Sequence, residues 1–365
     1  MFLVITRNFP PDLGGIQSLM GGLSENLLNH GPVKVFAFEH KDSELYDNKS
    51  SINIERIKGI KLFRKYRKAN LVNNFINTNS HIRAIFADHW KSLELIKIEN
   101  LKKSKTFCLL HSKEINHEAG SSLNNRLVKS TNKADFIIAN SNFTKELAIK
   151  VGINPAKIHI IFPGIYKPKI IENVFKAKAE KIFDRSFPKI ITVARLDKRK
   201  GHDKILMILK NLKNKFPKIK YVSIGAGEEE NNLLKLSKEL SLDDSVLFLK
   251  NINFDLKISL LAEANLFLMP TRIEKKSIEG FGISFVEAAS YGIGSIGGKD
   301  GGASDAINHN QTGLICDGND LNSIYDSVIN FFQNEKFIDF GKNAEKFSEK
   351  FYWNHIIKNY LNLIN

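Results

Sequence analysis

The sequence predicts an α/β protein made of two doubly wound, Rossmann-like domains. Three observations carry this expectation. The chain has 365 residues, 42% of them apolar and 25% charged, which is enough for two globular cores. Short Val/Ile/Phe runs alternate with longer helical patterns along its whole length. The alternation also restarts after a Pro/Lys-rich bridge at Pro163–Pro168. Strands that alternate with helices imply parallel sheets covered on both faces.

The first series places strands at Phe2–Thr6, Val33–Phe38, Ala84–Ala87, Thr106–Leu110, Phe136–Ala139 and Ile158–Ile161. The second places them at Lys189–Val193, Tyr221–Ile224, Val246–Phe248, Leu266–Met269, Gly294–Gly297 and Gly313–Ile315. The domain boundary is expected near Tyr166, dividing the chain into 1–165 and 166–345, with 346–365 as a closing segment. Ligands of such sheets gather at the carboxyl ends of the strands, so a cleft between the domains is the expected site.

Composition excludes other classes. No apolar run approaches the roughly 20 residues that span a bilayer. The opening MFLVIT meets Arg7, Asn8 and Pro10-Pro11 and reads as a strand, not a signal peptide. Cys108 and Cys316, the only cysteines, each lie in an apolar run and read as two buried thiols. They fit a reducing compartment.

The net charge of +15 is uneven: residues 1–167 carry 25 Lys/Arg against 14 Asp/Glu, and residues 168–365 carry 29 against 25. The abundance of Lys, Asn, Ile and Phe points to a coding bias that accounts for part of the charge. The sharpest basic stretch runs from Arg56 to Arg83 and contains no acid. It holds Arg56, Lys58, Lys61, Arg64, Lys65, Arg67 and Lys68, interleaved with Ile57, Ile60, Leu62, Phe63, Tyr66 and Leu71. This reads as an amphipathic helix lying on an anionic bilayer, or as the solvated face of a core helix. A nucleic-acid surface is a third reading, but no recognised motif accompanies the cations, and nucleic acid is not an expected partner.

The loops after the strands carry the chemistry. After the first strand comes NFPPDLGGIQS, residues 8–18, whose Gly14-Gly15 lets the backbone approach a ligand before a helix that starts near Gln17. VARLDKRKG, residues 193–201, delivers Arg195, Lys198, Arg199 and Lys200 into one loop, which suits phosphate oxygens or, read in isolation, a solvated charge run. IGAGEEE, residues 224–230, presents Gly225 and Gly227. The most specific signal is EGFGISFVE, residues 279–287. There Glu279 and Glu287 are separated by seven residues that include Gly280 and Gly282. One carboxylate suits a ribose diol, and the amides of Phe281 to Ser284 suit a sugar or diphosphate. Two surface glutamates are the alternative. A Gly-rich unit, GGKDGGASDAINHNQTGLICDGND, follows at 297–320.

The order of these pieces resembles glycosyltransferase family 4, of the GT-B architecture, over nearly the whole chain. The ending FYWNHIIKNYL, residues 351–361, is similar to the closing Trp-containing helix of that family, which crosses back to the first domain. NFPPDLGGIQS and TRIEKKSIEGFGISFVEAASYG look most like phosphatidylinositol mannosyltransferases and related lipid glycosyltransferases. The resemblance implies an acceptor-binding first domain and a nucleotide-sugar-binding second one. It implies that Arg195 and Lys200 contact the donor diphosphate, that Glu279 lies near the donor sugar, and that Glu287 binds the ribose. Gly282 and Ile283 would offer amides to sugar hydroxyls or phosphate. Gly225 would belong to the same donor site, and backbone near Asn251 would meet the base. His111, in CLLHSKE, would face the donor sugar, and Gly15 would lie against the diphosphate. Gln17 with Arg64, Lys65, Arg67 and Lys68 would face the acceptor or the membrane.

Asp305 stands where many members have Glu, and Glu274-Lys275-Lys276 is atypical; its lysines suit an anionic sugar or lipid head group. No D-x-D triplet occurs in the sequence, so a metal clamp of that type is not expected and no cofactor is implied beyond the UDP- or GDP-linked sugar. The resemblance implies retention of configuration with front-face attack. The expected reaction is hexosyl transfer to a membrane lipid of the diacylglycerol or phosphatidylinositol type, by a peripheral protein on the cytoplasmic face of the cell membrane. Assembly of lipid-linked polysaccharide, transfer to a small soluble acceptor, and a non-catalytic basic binding protein are the alternatives.

Overall fold

A parallel strand pair leaves no hairpin option, so each strand here is followed by a crossover, and the crossovers stack helices on both sheet faces. The computed structural model describes all 365 residues and divides into two compact units, Met1–Tyr166 with Phe351–Asn365, and Lys167–Lys350.

The first unit is a seven-stranded parallel sheet in the order β3-β2-β1-β4-β5-β6-β7. Its strands are β1 (Phe2–Ile5), β2 (Val33–Phe38), β3 (Asn53–Ile57), β4 (Ala84–Ala87), β5 (Lys105–Leu110), β6 (Phe136–Ala139) and β7 (Ile158–Ile160). The order reverses direction between β1 and β4, which makes that point the natural ligand crevice of the sheet. One face is packed by Leu3, Ile5, Val72, Ile76 and Trp90, the other by Phe2, Val4, Phe86 and Phe107. The terminal helix Trp353–Ile364 contributes Trp353, Ile356, Ile357 and Tyr360 to the second face. Trp353 lies flat against two glycines: a Cβ on Gly22 or Gly164 would come within 2.5 and 2.4 Å of its ring. The chain therefore returns to the first unit at Phe351, and the preceding helix, Lys336–Ser348, stays with the second.

The second unit is a six-stranded parallel sheet in the order β10-β9-β8-β11-β12-β13. Its strands are β8 (Lys189–Val193), β9 (Lys220–Ile224), β10 (Val246–Leu249), β11 (Leu266–Met269), β12 (Ser295–Gly298) and β13 (Gly313–Cys316). Its core runs from Ile190 and Tyr221 through Leu266 and Leu268 to Phe331. Again the order reverses, between β8 and β11, and the loops after those two strands are the ones that carry Lys200 and Glu279.

Twelve of the thirteen strands fall on the apolar runs read from the sequence, within one residue at either end. The thirteenth, β3, is a correction: Asn53–Ile57 is an edge strand paired only with β2, and Glu55 and Arg56 break its apolar pattern. Cys108 and Cys316 are both buried free thiols, as expected.

Candidate active site

In the second unit, β8 ends at Val193 and hands the chain to a short turn, Lys198–Lys200, before the helix His202–Lys215. The turn is forced by Gly201, whose φ of 77° lies in the left-handed region and whose Cβ, if present, would stand 2.4 Å from the Pro270 carbonyl oxygen. Arg199 and Lys200 are thereby turned inward, and both are buried. Each meets the same carboxylate: Arg199 Nη1 donates to Glu279 Oε2 at 2.6 Å, and Lys200 Nζ donates to that oxygen as well.

The electrostatics of this triad follow from its burial. Burial alone would raise the Glu279 carboxyl, but Lys200 and then Arg199 override it and hold its pKa down at about 2. Lys200 is pulled below the usual lysine range, first by burial and only partly restored by Glu279. Asp197 adds a second acid to the cluster, 3.6 Å from Arg199 and 3.2 Å from Arg195, so three cations face two carboxylates and one positive charge remains in excess, suited to an anionic ligand. Three buried polar atoms beside it, Asp197 Oδ1, Arg199 Nε and Thr271 Oγ1, have no hydrogen-bond partner within the chain. A native interior rarely leaves such atoms unpaired except where a ligand or water completes them.

Arg195 differs from Lys200. Its side chain is 66% exposed and lies 3.2 Å from Asp197, while its carbonyl is held by His202 Nε2 at 3.2 Å. His202 is buried, which lowers its pKa to about 4, and its Nδ1 stands 2.9 Å from the Tyr221 hydroxyl. The neutral ring thus fixes the backbone at Arg195, while its guanidinium, mostly exposed, pairs with Asp197.

After β11 the loop 270–282 leads to the helix Ile283–Ser290, with Gly282 as its N-cap at φ 86°. The amides of Ile283 and Ser284 open that helix and have no acceptor within it. Glu287 lies one turn in, partly exposed, 3.8 Å from Lys257. Gly225 follows β9 and is pressed against the end of β8, where a Cβ would stand 1.9 Å from the Ala194 carbonyl oxygen. Asn251 is in the turn after β10, at φ 52°. The second unit thus brings Lys200, Glu279 and Arg199 together directly, with Arg195, Gly225, Gly282 and Ile283 on the adjoining loops at the carboxyl ends of its strands.

In the first unit the corresponding strand ends carry Gly15, which starts the helix Gly15–Leu28, and Gln17, whose amide donates to Asp12 at 2.7 Å. His111 follows β5; its Nε2 donates to the Asp88 carbonyl at 2.8 Å, and its own amide donates to Glu114. Asp88 also accepts from Thr6 Oγ1 at 2.8 Å and from the Arg7 amide at 2.9 Å. It therefore ties the loop after β1 to His111, a role sequence reasoning missed. The available signal was an acid placed directly after the apolar run Ala84–Ala87.

The basic stretch is corrected in part. Lys68 does not join a surface. It is buried, its ammonium donating to the Thr6 carbonyl at 3.0 Å and to Ser92 Oγ at 3.1 Å, and Ser92 in turn donates to Asp88 at 2.7 Å. The reason is helical period: Lys68 shares the inward arc of Lys61–Thr78 with Val72 and Ile76. Arg56 is likewise internal, forking onto Asp47 and reaching the Pro10 carbonyl at 2.6 Å. Arg64 and Arg67 donate to the carbonyls of Gly59 and Lys58, while Lys61, Lys65 and Arg67 face outward. Beside them Ile60, Leu62, Phe63 and Tyr66 are each at least half exposed.

The family model "Glycosyltransferase Family 4" matches residues 13–166, and "Glycosyl transferases group 1" matches residues 173–350. A GDP-mannose-dependent alpha-(1-6)-phosphatidylinositol monomannoside mannosyltransferase of Mycobacterium tuberculosis is 25% identical over 348 residues, covering 89% of this chain and 87% of the relative. A GDP-mannose-dependent monoacylated alpha-(1-6)-phosphatidylinositol monomannoside mannosyltransferase of Corynebacterium glutamicum is 24% identical over 339 residues, covering 90% and 87%. Among solved structures, Anabaena Alr3699/HepE in complex with UDP superposes with a TM-score of 0.81 at 18% identity, covering 99% of each chain. With both units matched by the two models and both sheets wound as in GT-B enzymes, the chain belongs to glycosyltransferase family 4 and is a hexosyltransferase that uses a nucleotide-sugar donor.

Proposed function

We propose that the protein transfers a hexosyl residue from a UDP- or GDP-linked sugar to a membrane lipid of the phosphatidylinositol or diacylglycerol type, with retention of configuration and without a metal ion. The observation that carries the donor half is the buried Arg199–Lys200–Glu279 cluster, which with the neighbouring Arg195 and Asp197 sets three cations against two carboxylates. As the glycosidic bond breaks, charge builds on the leaving diphosphate. Lys200 and Arg195 stabilise it, with the amides of Gly282 and Ile283, all oriented before the reaction starts. Glu279 sets the position of Lys200 and stands at the donor sugar, Glu287 takes the ribose, and backbone around Gly225 and Asn251 takes the rest of the nucleotide. We assign His111 to the donor sugar and Gly15 to the diphosphate.

The lipid half rests on the face of Lys61–Thr78, where exposed apolar side chains alternate with Lys61, Lys65 and Arg67. Such a face inserts its apolar residues at the head-group level while its cations meet anionic lipid. We assign Gln17, in the first turn of the helix Gly15–Leu28, to the acceptor. The lipid acceptors named for the mycobacterial and corynebacterial relatives support the same reading. No helix is long and apolar enough to cross a membrane, and a peripheral position on the cytoplasmic face is the corresponding proposal.

The decisive experiment incubates the protein with a panel of UDP- and GDP-sugars and a total lipid extract, with products identified by mass and the new linkage by its anomeric proton coupling. A glycolipid of unchanged anomeric configuration, formed equally in the presence of a chelator, supports the proposal. Transfer only to water-soluble acceptors, or an inverted product, overturns it.

A further inference from the structure

The loop that carries Lys200 and the loop that carries Glu279 are joined by more than their ion pair. Arg272, just after β11, donates its backbone amide to the Arg199 carbonyl at 3.0 Å. Its guanidinium forks onto Asp203, Nη1 to Oδ1 and Nη2 to Oδ2, both at 2.9 Å. Asp203 lies in the first turn of His202–Lys215, three residues past Lys200, where a carboxylate also suits the helix dipole. The Arg272 side chain is only 8% exposed. Its Nη1–Nη2 edge is taken by Asp203, and its Nε lies 3.9 Å from Glu274. Beyond it the chain runs out to a small hairpin closed by Glu274 and Ser277, with Lys275 at φ 56°, and returns at Glu279. Arg272 is thus the anchor at the outgoing foot of the hairpin whose returning foot bears the carboxylate.

We propose that Arg272, through its fork onto Asp203, is a positioning residue for sugar transfer: it holds Glu279 in register with Lys200 and so aims the ammonium at the leaving diphosphate. This rests on the donor-site reading given above. The physical case is one of tolerance. A displacement of about 1 Å in a catalytic group costs roughly a hundredfold in rate, and the only side-chain tie between Glu279 and the rest of the molecule is to the two cations it must orient. The bidentate Arg–carboxylate pair is the geometry that adds direction as well as energy. Lysine at 272 would supply the charge without the fork.

The test titrates UDP and GDP by calorimetry and measures turnover and thermal melting for the wild type, Arg272→Gln, Asp203→Asn and the double variant. A wild type that binds neither nucleotide and transfers no sugar defeats the donor reading itself, before any substitution is considered. Given a working wild type, each single variant is expected to weaken nucleotide binding and to lower kcat by about tenfold or more. The acceptor KM should stay unchanged, and the double variant should be no worse than the worse single, because both changes remove one device. Arg272→Lys should fail to restore kcat. Wild-type kcat and nucleotide affinity in a folded single variant, or losses that add fully in the double, overturn the inference. Should Arg272→Gln not fold, Asp203→Asn carries the same test, and loss of the melting transition in both reduces the pair to support of the fold and overturns it as well.

Discussion

Arg199 Nη1 stands 2.6 Å from Glu279 Oε2, and the same oxygen is the partner of Lys200. One carboxylate therefore serves two buried cations; its removal leaves Lys200 with no carboxylate partner and Arg199 with only Asp197, 3.6 Å away. Breaking a buried pair costs about 3–5 kcal/mol, since the charge left behind keeps its desolvation penalty. Glu279→Gln is expected to destabilise the protein by that order and to abolish most transfer. Urea denaturation with paired activity assays checks it, and a variant with wild-type stability would show that the two cations find other partners.

The same carboxylate makes stability depend on pH in one direction. Its pKa is about 2 in the folded chain against an ordinary 4.5. A depressed carboxyl contributes stability that is complete above the unfolded value and is lost as pH falls through the folded one. The stability gap between wild type and Glu279→Gln is therefore expected to be constant from neutral pH down to the ordinary carboxyl range, and to shrink between about 4.5 and about 2. Denaturant midpoints of the two proteins across that range check it; a gap that widened on acidification would contradict the assignment of charge.

Lys65 and Lys68 are three residues apart on one helix and have opposite surroundings. Lys65 faces outward over the Tyr66 ring. Lys68 is buried among Thr6, Ser92 and, through Ser92, Asp88, and burial draws its pKa down to about 8. Lys68→Met is expected to lower the melting temperature sharply and to leave liposome binding unchanged. Lys61→Gln with Lys65→Gln should do the reverse. Each cation near an anionic surface is worth about 1 kcal/mol, so the pair should weaken co-sedimentation with anionic vesicles by more than about tenfold. Leu62→Glu with Phe63→Glu should abolish it, and salt should release the wild type. Retention of the glutamate variant on vesicles would overturn the membrane reading.

These contrasts show what the sequence could and could not reveal. Strand ends were legible because both sheets are parallel and buried on two faces, so their strands are nearly unbroken apolar runs such as Phe2–Ile5 and Leu266–Met269. β3 was not, because an edge strand tolerates Glu55 and Arg56. The burial of Lys68 is legible in the helical period, since Lys68, Val72 and Ile76 lie four apart, but the cations around it mask that inward arc. The pairing of Lys200 with Glu279 spans 79 residues and is a product of the fold, since only the adjacency of β8 and β11 brings their loops together. Arg272 had no local signal at all, lying in an irregular loop whose partner, Asp203, starts a helix after a different strand.

Arg195 and Lys200 are the two cations assigned to the leaving diphosphate, and their surroundings predict different failures. Lys200 is buried and shares Glu279, so Lys200→Ala removes a preorganised donor and unbalances a buried cluster. Loss of one such donor typically costs about 2.7–4 kcal/mol of transition-state stabilisation, so turnover should fall by at least about tenfold, with a measurable loss of stability. Arg195 is mostly exposed, paired with Asp197 at 3.2 Å, and such pairs contribute little to folding. Arg195→Ala should therefore lower kcat/KM while leaving the melting temperature within about a degree or two, as surface substitutions usually do. Steady-state kinetics with varied donor, alongside thermal melting of the same preparations, separates the two. Full turnover in Lys200→Ala would remove the buried lysine from the chemistry and shift the stabilisation of the departing charge to Arg195 and the helix amides.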